Sequence, residues 1–173
     1  MKYKGTPVNK LLKQFENSGY TFLSKSYNVI HNCNVADLDF NYKDVAHLTS
    51  FHPGFYCYFH SISDKSLVDS RFIEIFKFKI PVTLSSWEPN ENEHASLFNL
   101  FGFIIITTAK FEYIEINKSK LTTTYNLAHQ NKLILKTIGN FVHTLLKKNY
   151  LRLLNEDSVI RERRGKLRTN GHE

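Results

Sequence analysis

Apolar positions recur along this chain in two rhythms, a helical one at both ends and an alternating one between them. Val8, Leu11, Leu12 and Phe15 fall at three- and four-residue steps, predicting a short amphipathic helix over Val8–Asn17 that Ser18-Gly19 ends. Tyr27 to Ala36, with Val29, Ile30 and Val35, reads as a first strand. A second helix is expected from Tyr42 to Phe51, stopped by Pro53-Gly54. Six candidate strands follow, at Phe55–Ser61, Ser66–Phe78, Val82–Glu88, Ser96–Ala109, Phe111–Asn117 and Lys120–Leu127. Turn residues such as Ser63-Asp64-Lys65, Pro89-Asn90-Glu91-Asn92 and Asn117-Lys118-Ser119 separate them, the pattern of an antiparallel meander. The last rhythm is a long helix from about Asn131 to Arg164. Its apolar stripe would be Ile134, Ile138, Phe141, Val142, Leu145, Leu146, Tyr150, Leu153 and Ile160.

A short helix pair, then a curved antiparallel sheet, then one long C-terminal helix is the order of elements in the helix-grip (START/Bet v1-like) fold. That is an α+β class in which the sheet wraps the last helix and a cavity lies between them. With 173 residues the chain fits one such domain, with 1–26 as an N-terminal extension, 27–164 as the core and 165–173 as a tail.

Composition changes this picture in three places. Hydrophobic residues at 42% and charged ones at 23% describe an ordinary globule. Aromatic content is high at 14%, which suits either a cavity walled by rings or a phenylalanine-rich core. Cys33 and Cys57 are the only cysteines, so no disulfide framework exists and a reducing, cytoplasmic setting is expected. The basic N-terminus leads into no apolar stretch, and the longest apolar run, Leu97 to Ile106, is too short to span a bilayer. Part of the net charge of +7 sits late, on Lys147, Lys148, Arg152, Arg161, Arg163, Arg164, Lys166 and Arg168. Without interleaved aromatics this is not a nucleic-acid pattern; it reads as a solvated helical face or as a surface for an acidic partner.

Candidate chemistry concentrates in Asn41-Tyr42-Lys43-Asp44-Val45-Ala46-His47-Leu48-Thr49-Ser50-Phe51-His52-Pro53, which contains N-x2-D-x2-H-x4-H. On a continuous helix, positions i and i+5 diverge by about 140°. A helix ending at His52, where Pro53 forces it to end, can bring both imidazoles onto one metal ion. Late in the chain, steps of four and three from Leu146 through Tyr150 and Leu153 reach Asp157, a carboxylate on the face turned toward the sheet. Burial there asks for a cation. Pairing with Arg161 one turn on is the plainer alternative. His60, His94, His129 and His143 have no partner at ligand spacing and read as surface or core residues, and Cys57–His60 is a lone C-x2-H.

The motif resembles the iron-binding motif in the catalytic domain of Rieske-type non-haem iron oxygenases. In wording it is similar to the branch acting on choline, glycine betaine and carnitine, although Asp44 and Ala46 stand where that branch carries Glu and Tyr. Asn155-Glu156-Asp157-Ser158-Val159-Ile160-Arg161-Glu162 resembles the family's late segment carrying its carboxylate ligand. The resemblance implies Fe(II) held by His47, His52 and Asp157, and an oxidoreductase that hydroxylates or dealkylates a small molecule with dioxygen. It also implies Asp44 as the bridge to an electron-supplying cluster, Asn41 as a polar neighbour of the iron, and a homotrimeric assembly. The chain lacks the cysteines of a Rieske cluster, so electrons would come from a separate Rieske or ferredoxin-type donor. Two other classes stay open. One is a metal-free helix-grip module binding a lipid, sterol or polyketide. The other is a metal-dependent, non-redox cyclase or hydrolase on the same scaffold.

Overall fold

A computed structural model describes residues 5–43, 56–62, 67–75 and 77–169. The elements run α1 (Val8–Asn17), β1 (Thr21–His31), α2 (Val35–Lys43), β2 (Tyr56–Ile62), β3 (Leu67–Ile75) and β4 (Phe78–Asn90). They continue with β5 (Glu93–Leu100), β6 (Phe103–Glu115), β7 (Lys118–His129) and α3 (Lys132–Thr169). The described strands form one seven-stranded sheet in the order β1-β7-β6-β5-β4-β3-β2. Each neighbouring pair is antiparallel, so β2 to β7 are the expected meander and β1 crosses over to lie beside β7.

Several boundaries differ from those the pattern suggests, for local reasons. Ser96–Ala109 is not one strand: Leu100 pairs with Phe103, and the chain reverses at Phe101 (φ 51) and Gly102 (φ 79). A two-residue turn with both φ values positive matches strand twist, and Gly102 supplies one of them without strain, so an apolar run hides a hairpin. β6 then runs unbroken through Lys110 to Glu115. The first strand starts at Thr21, six residues early, because Lys25 takes an inward position, reaching Asn140 of α3, and breaks the apolar alternation there. It ends before Asn34, whose side-chain Oδ1 accepts the Asp37 backbone N–H at 3.0 Å and caps α2. α2 therefore begins at Val35, earlier than the helix expected over Tyr42–Phe51; Asp44 to Phe51 lie outside the described residues.

Both faces of the sheet are covered. On the outer face α1 packs Val8, Leu11, Leu12 and Phe15 against Phe22, Trp87, Ala95, Leu97, Ile104 and Ile106. On the inner face α3 buries Leu135, Val142, Leu146, Tyr150 and Leu154 against Phe98, Phe103, Ile105, Phe111, Leu121 and Leu127. Each such aliphatic side chain contributes about 1.5–3 kcal/mol relative to exposure. The buried stripe of α3 is displaced from the expected one: Ile138 and Phe141 face solvent, whereas Leu135, Gly139 and Leu154 face the sheet. A Cβ at Gly139 would lie 3.0 Å from Leu23 Cδ2, so the helix packs tightly on the β1 side chain at its glycine, and this position belongs to the buried stripe.

Polar contacts fix the helix along β1 and β7. Asn131 Oδ1 accepts the backbone N–H groups of Leu133 (2.9 Å) and Ile134 (3.2 Å), capping α3 as it leaves β7. Lys25 Nζ then meets Asn140 Oδ1 at 2.7 Å, and His143 Nε2 donates to the Leu23 carbonyl at 2.9 Å. Among the described residues no helix is long and apolar enough to cross a membrane.

Candidate functional site

The inner face is apolar in general, so its polar groups stand out. A row of tyrosines crosses it under α3. Tyr125 on β7 lies edge-on to Tyr150 on α3 and beside Tyr27 on β1, with 6.2 Å between ring centroids in both pairs. Thr123, two residues before Tyr125 and hence on the same face, donates its hydroxyl to Tyr150 Oη at 2.9 Å in a buried bond. Lys147 Nζ sits 5.3 Å above the Tyr27 ring, and burial pushes the Tyr27 phenol up from its ordinary range.

A second polar group lies across the sheet on β3. Asp69 and Arg71 alternate onto the inner face, since they pair in register with Leu84 and Val82 of the α3-facing core. Both are buried, and Arg71 grips the carboxylate with Nε on Oδ1 and Nη2 on Oδ2. A fork-to-fork pair of this kind is the arrangement in which a buried arginine and aspartate best offset their desolvation.

A third cluster gathers where α2 meets the β4–β5 hairpin. His94 on β5 donates Nε2–H to Asp39 Oδ1 of α2 at 2.7 Å and packs on the Phe111 ring at 5.5 Å. Glu88 of β4 completes a set whose ligand atoms all lie within 4.8 Å of one another. Two carboxylates and an imidazole, each half-buried, form a donor set that a divalent first-row cation can use. From sequence alone His94 has no partner at ligand spacing and reads as a surface or core residue. The three residues belong to separate elements, and no sequence spacing links them.

The residues singled out by sequence are placed as follows. Asp157 is buried on the sheet-facing side of α3, one turn past Leu154, as its position in the stripe requires. Asn41 lies in the last turn of α2, while Asp44, His47 and His52 lie outside the described residues. Near Asp157, a cleft of about 190 Å³ opens between the end of β1 and α3, lined by Val29, His31, Asn32, Leu154, Asn155 and Ser158 among others. Of the other histidines, His143 is buried, and desolvation lowers its basicity below the ordinary imidazole range. His129 accepts the Asn131 backbone N–H at 2.9 Å and stacks on Phe103.

Solved structures decide between the readings of the fold. The chain superposes on the Zhui aromatase/cyclase from Streptomyces sp. R1128 with a TM-score of 0.70 at 10% identity, covering 83% of this chain and 96% of that one. The fold is the helix-grip fold. A START superfamily protein from Mycobacterium smegmatis gives 0.65 at 13% identity over 81% of this chain and 97% of that one. Norcoclaurine synthase from Thalictrum flavum gives 0.65 at 9% identity over 84% and 90%. No family model matches the chain, and no curated protein does. These START- and Bet v1-like neighbours overturn the resemblance to Rieske oxygenase catalytic domains, and with it the oxidoreductase and ring-hydroxylating expectation. The motif misleads because two histidines five apart, an asparagine and an aspartate are common residue types at short spacing, and spacing alone carries little chemistry. Without that resemblance, nothing supports dioxygen, a Rieske or ferredoxin-type donor or a trimer as partners.

Proposed function

We propose that this chain is a START-like binding module that holds an apolar, ring-bearing small molecule between the inner sheet face and α3. The observation carrying the proposal is the row Tyr27, Tyr125 and Tyr150 with the Thr123 hydroxyl, set in a wall of aliphatic side chains and the rings of Phe98, Phe103 and Phe111. Ring faces offer edge-to-face contacts to an aromatic or polycyclic ligand, and the hydroxyls orient it by one or two hydrogen bonds. The likeness to aromatase/cyclases and norcoclaurine synthase supports the same class of ligand. Thermal unfolding against a panel of polycyclic aromatics, sterols and fatty acids tests the reading. A ligand present at 100 times its Kd stabilises the fold by about 2.7 kcal/mol. Stabilisation by ring compounds that Tyr125→Leu abolishes supports the proposal; a panel that leaves the melting temperature unmoved contradicts it.

A second reading is favoured by the donor sets: metal-assisted, non-redox cyclisation or hydrolysis on the same scaffold, with the ion as a Lewis acid. Asp39, Glu88 and His94 fit a divalent cation by donor chemistry and spacing. His47, His52 and Asp157 are the alternative ligand set, and Fe(II) one of the ions either could hold. Metal analysis after loading separates the two. His94→Ala removes the ion in the first case and leaves it in the second, where Asp157→Ala removes it.

A further inference from the structure

Strand register places two unusual surfaces at one end of the sheet. The first is the β6–β7 hairpin. Glu115 pairs with Lys118 around Ile116 and Asn117, and Asn117 at φ 57 closes the turn. Three of the four residues Tyr113 to Ile116 are apolar and project into solvent: Tyr113 is 67% exposed, Ile114 42% and Ile116 83%. Lys110, Lys118 and Lys120 flank them, bonded to Glu112 and Glu115.

The second surface is the end of α3. Ser119 pairs with His31, and His31 shares a cleft with Leu154, Asn155 and Ser158, so this level of α3 lies beside the start of β7. Beyond it the helix runs on through Val159–Thr169, about 16 Å at 1.5 Å per residue. The hairpin likewise reaches about 7 Å past Ser119 at strand spacing. That last stretch of α3 carries Arg161, Arg163, Arg164, Lys166 and Arg168 against a single Glu162. Arg163 and Lys166 are exposed, and so is Val159 at 71%.

We propose that this end of the molecule docks on an anionic lipid surface, the hairpin tip inserting Ile114 and Ile116 while the end of α3 meets the headgroups. The two surfaces complement the two layers of such a membrane. Isoleucines at a hairpin tip gain by leaving water for the acyl boundary, and Tyr113 suits the headgroup level, apolar ring inward and hydroxyl outward. Arg163 and Lys166, exposed at the end of α3, are attracted by anionic headgroups within a Debye length. A nucleic acid or an acidic protein would use the cations and leave the isoleucines in water. These residues lie at the hairpin tip and the end of α3, away from the tyrosine row, so lipid docking is independent of the ligand reading.

Co-sedimentation of the whole chain with phosphatidylcholine vesicles, with and without phosphatidylserine, tests it. Binding should require phosphatidylserine and weaken as salt rises. Ile114→Ser with Ile116→Ser should lower the partition at least about tenfold, since membrane affinity scales with inserted apolar area. Arg163→Ala with Lys166→Ala should lower it too, and both pairs are exposed enough for circular dichroism and melting temperature to stay as in the parent. Three outcomes overturn the proposal: no binding to either vesicle, binding that the isoleucine variant leaves intact, or tighter binding to duplex DNA than to lipid.

Discussion

Replacing Arg71 by Met tests whether the inner face is as dry as the packing makes it. Asp69 is fully buried on β3, and both its oxygens accept from the Arg71 guanidinium. Met keeps much of the volume of the arginine stem but gives the carboxylate no donor. Removing one partner of a buried ion pair leaves an uncompensated charge and costs about 3–5 kcal/mol, against a total stability of about 5–15 kcal/mol for a domain. Urea unfolding should show the midpoint falling with an unchanged slope, at a typical slope of about 1–3 kcal/mol per molar. Replacing both residues together, Asp69→Leu with Arg71→Met, should recover most of the loss, because an apolar pair avoids the desolvation that the ion pair only offsets. The double variant also has a functional use. If the pair orients a ligand, stability returns and ligand affinity does not. A cost below about 1 kcal/mol for Arg71→Met is the range of an exposed pair and would refute the burial on which the reasoning rests.

Three further substitutions probe the seating of α3. Tyr150→Phe removes the acceptor of the Thr123 hydroxyl and should cost about 0.5–1.5 kcal/mol by chemical denaturation, with no change in secondary structure. Gly139→Ala should be nearly neutral, because relief of about 1 kcal/mol of helix penalty is offset by the 3.0 Å contact with Leu23. Gly139→Val should destabilise by about 1–3 kcal/mol through overpacking. His143 sets an acid limit. Its folded pKa lies below the unfolded value near 6.5, because burial and nearby Lys25 outweigh the bond to Leu23. Its contribution is therefore complete above about pH 6.5 and is lost as pH falls through the folded value. His143→Gln should flatten that acid limb in a melting-temperature series.

The sequence told more about the fold than about the site. α1 was legible to the residue because Ser18-Gly19 punctuates a clean helical period. The order of helix, sheet and long helix was legible because alternation and 3.6-residue periodicity survive in each segment. Asp157 could be placed on the buried side of the helix because helical phase carries from Leu146 across three turns. Other features needed coordinates. The Phe101-Gly102 turn hides inside an apolar run, and only Gly102 hints at it. The buried stripe of α3 includes Gly139, packed on Leu23 of β1, and that contact is a property of two elements at once. Asp69 and Arg71 could have been noticed as an acid and a base two apart on a strand, sharing one face. The meeting of His94 with Asp39 and Glu88 has no sequence signal, because three elements distant along the chain bring it about. The histidine motif drew attention elsewhere because short spacing is what a sequence displays most readily.

The most direct test of the account follows the tyrosine row itself. With ring-labelled tyrosine, two-dimensional NMR resolves Tyr27, Tyr125 and Tyr150, assigned by Tyr→Phe variants, during titration with a polycyclic aromatic ligand. A binding cavity under α3 predicts that these three resonances shift together and saturate at one ligand per chain, while the exposed Tyr113 does not move. Shifts confined to Tyr113, or none at saturating ligand, would show that the space between sheet and helix is a closed core and would contradict the account.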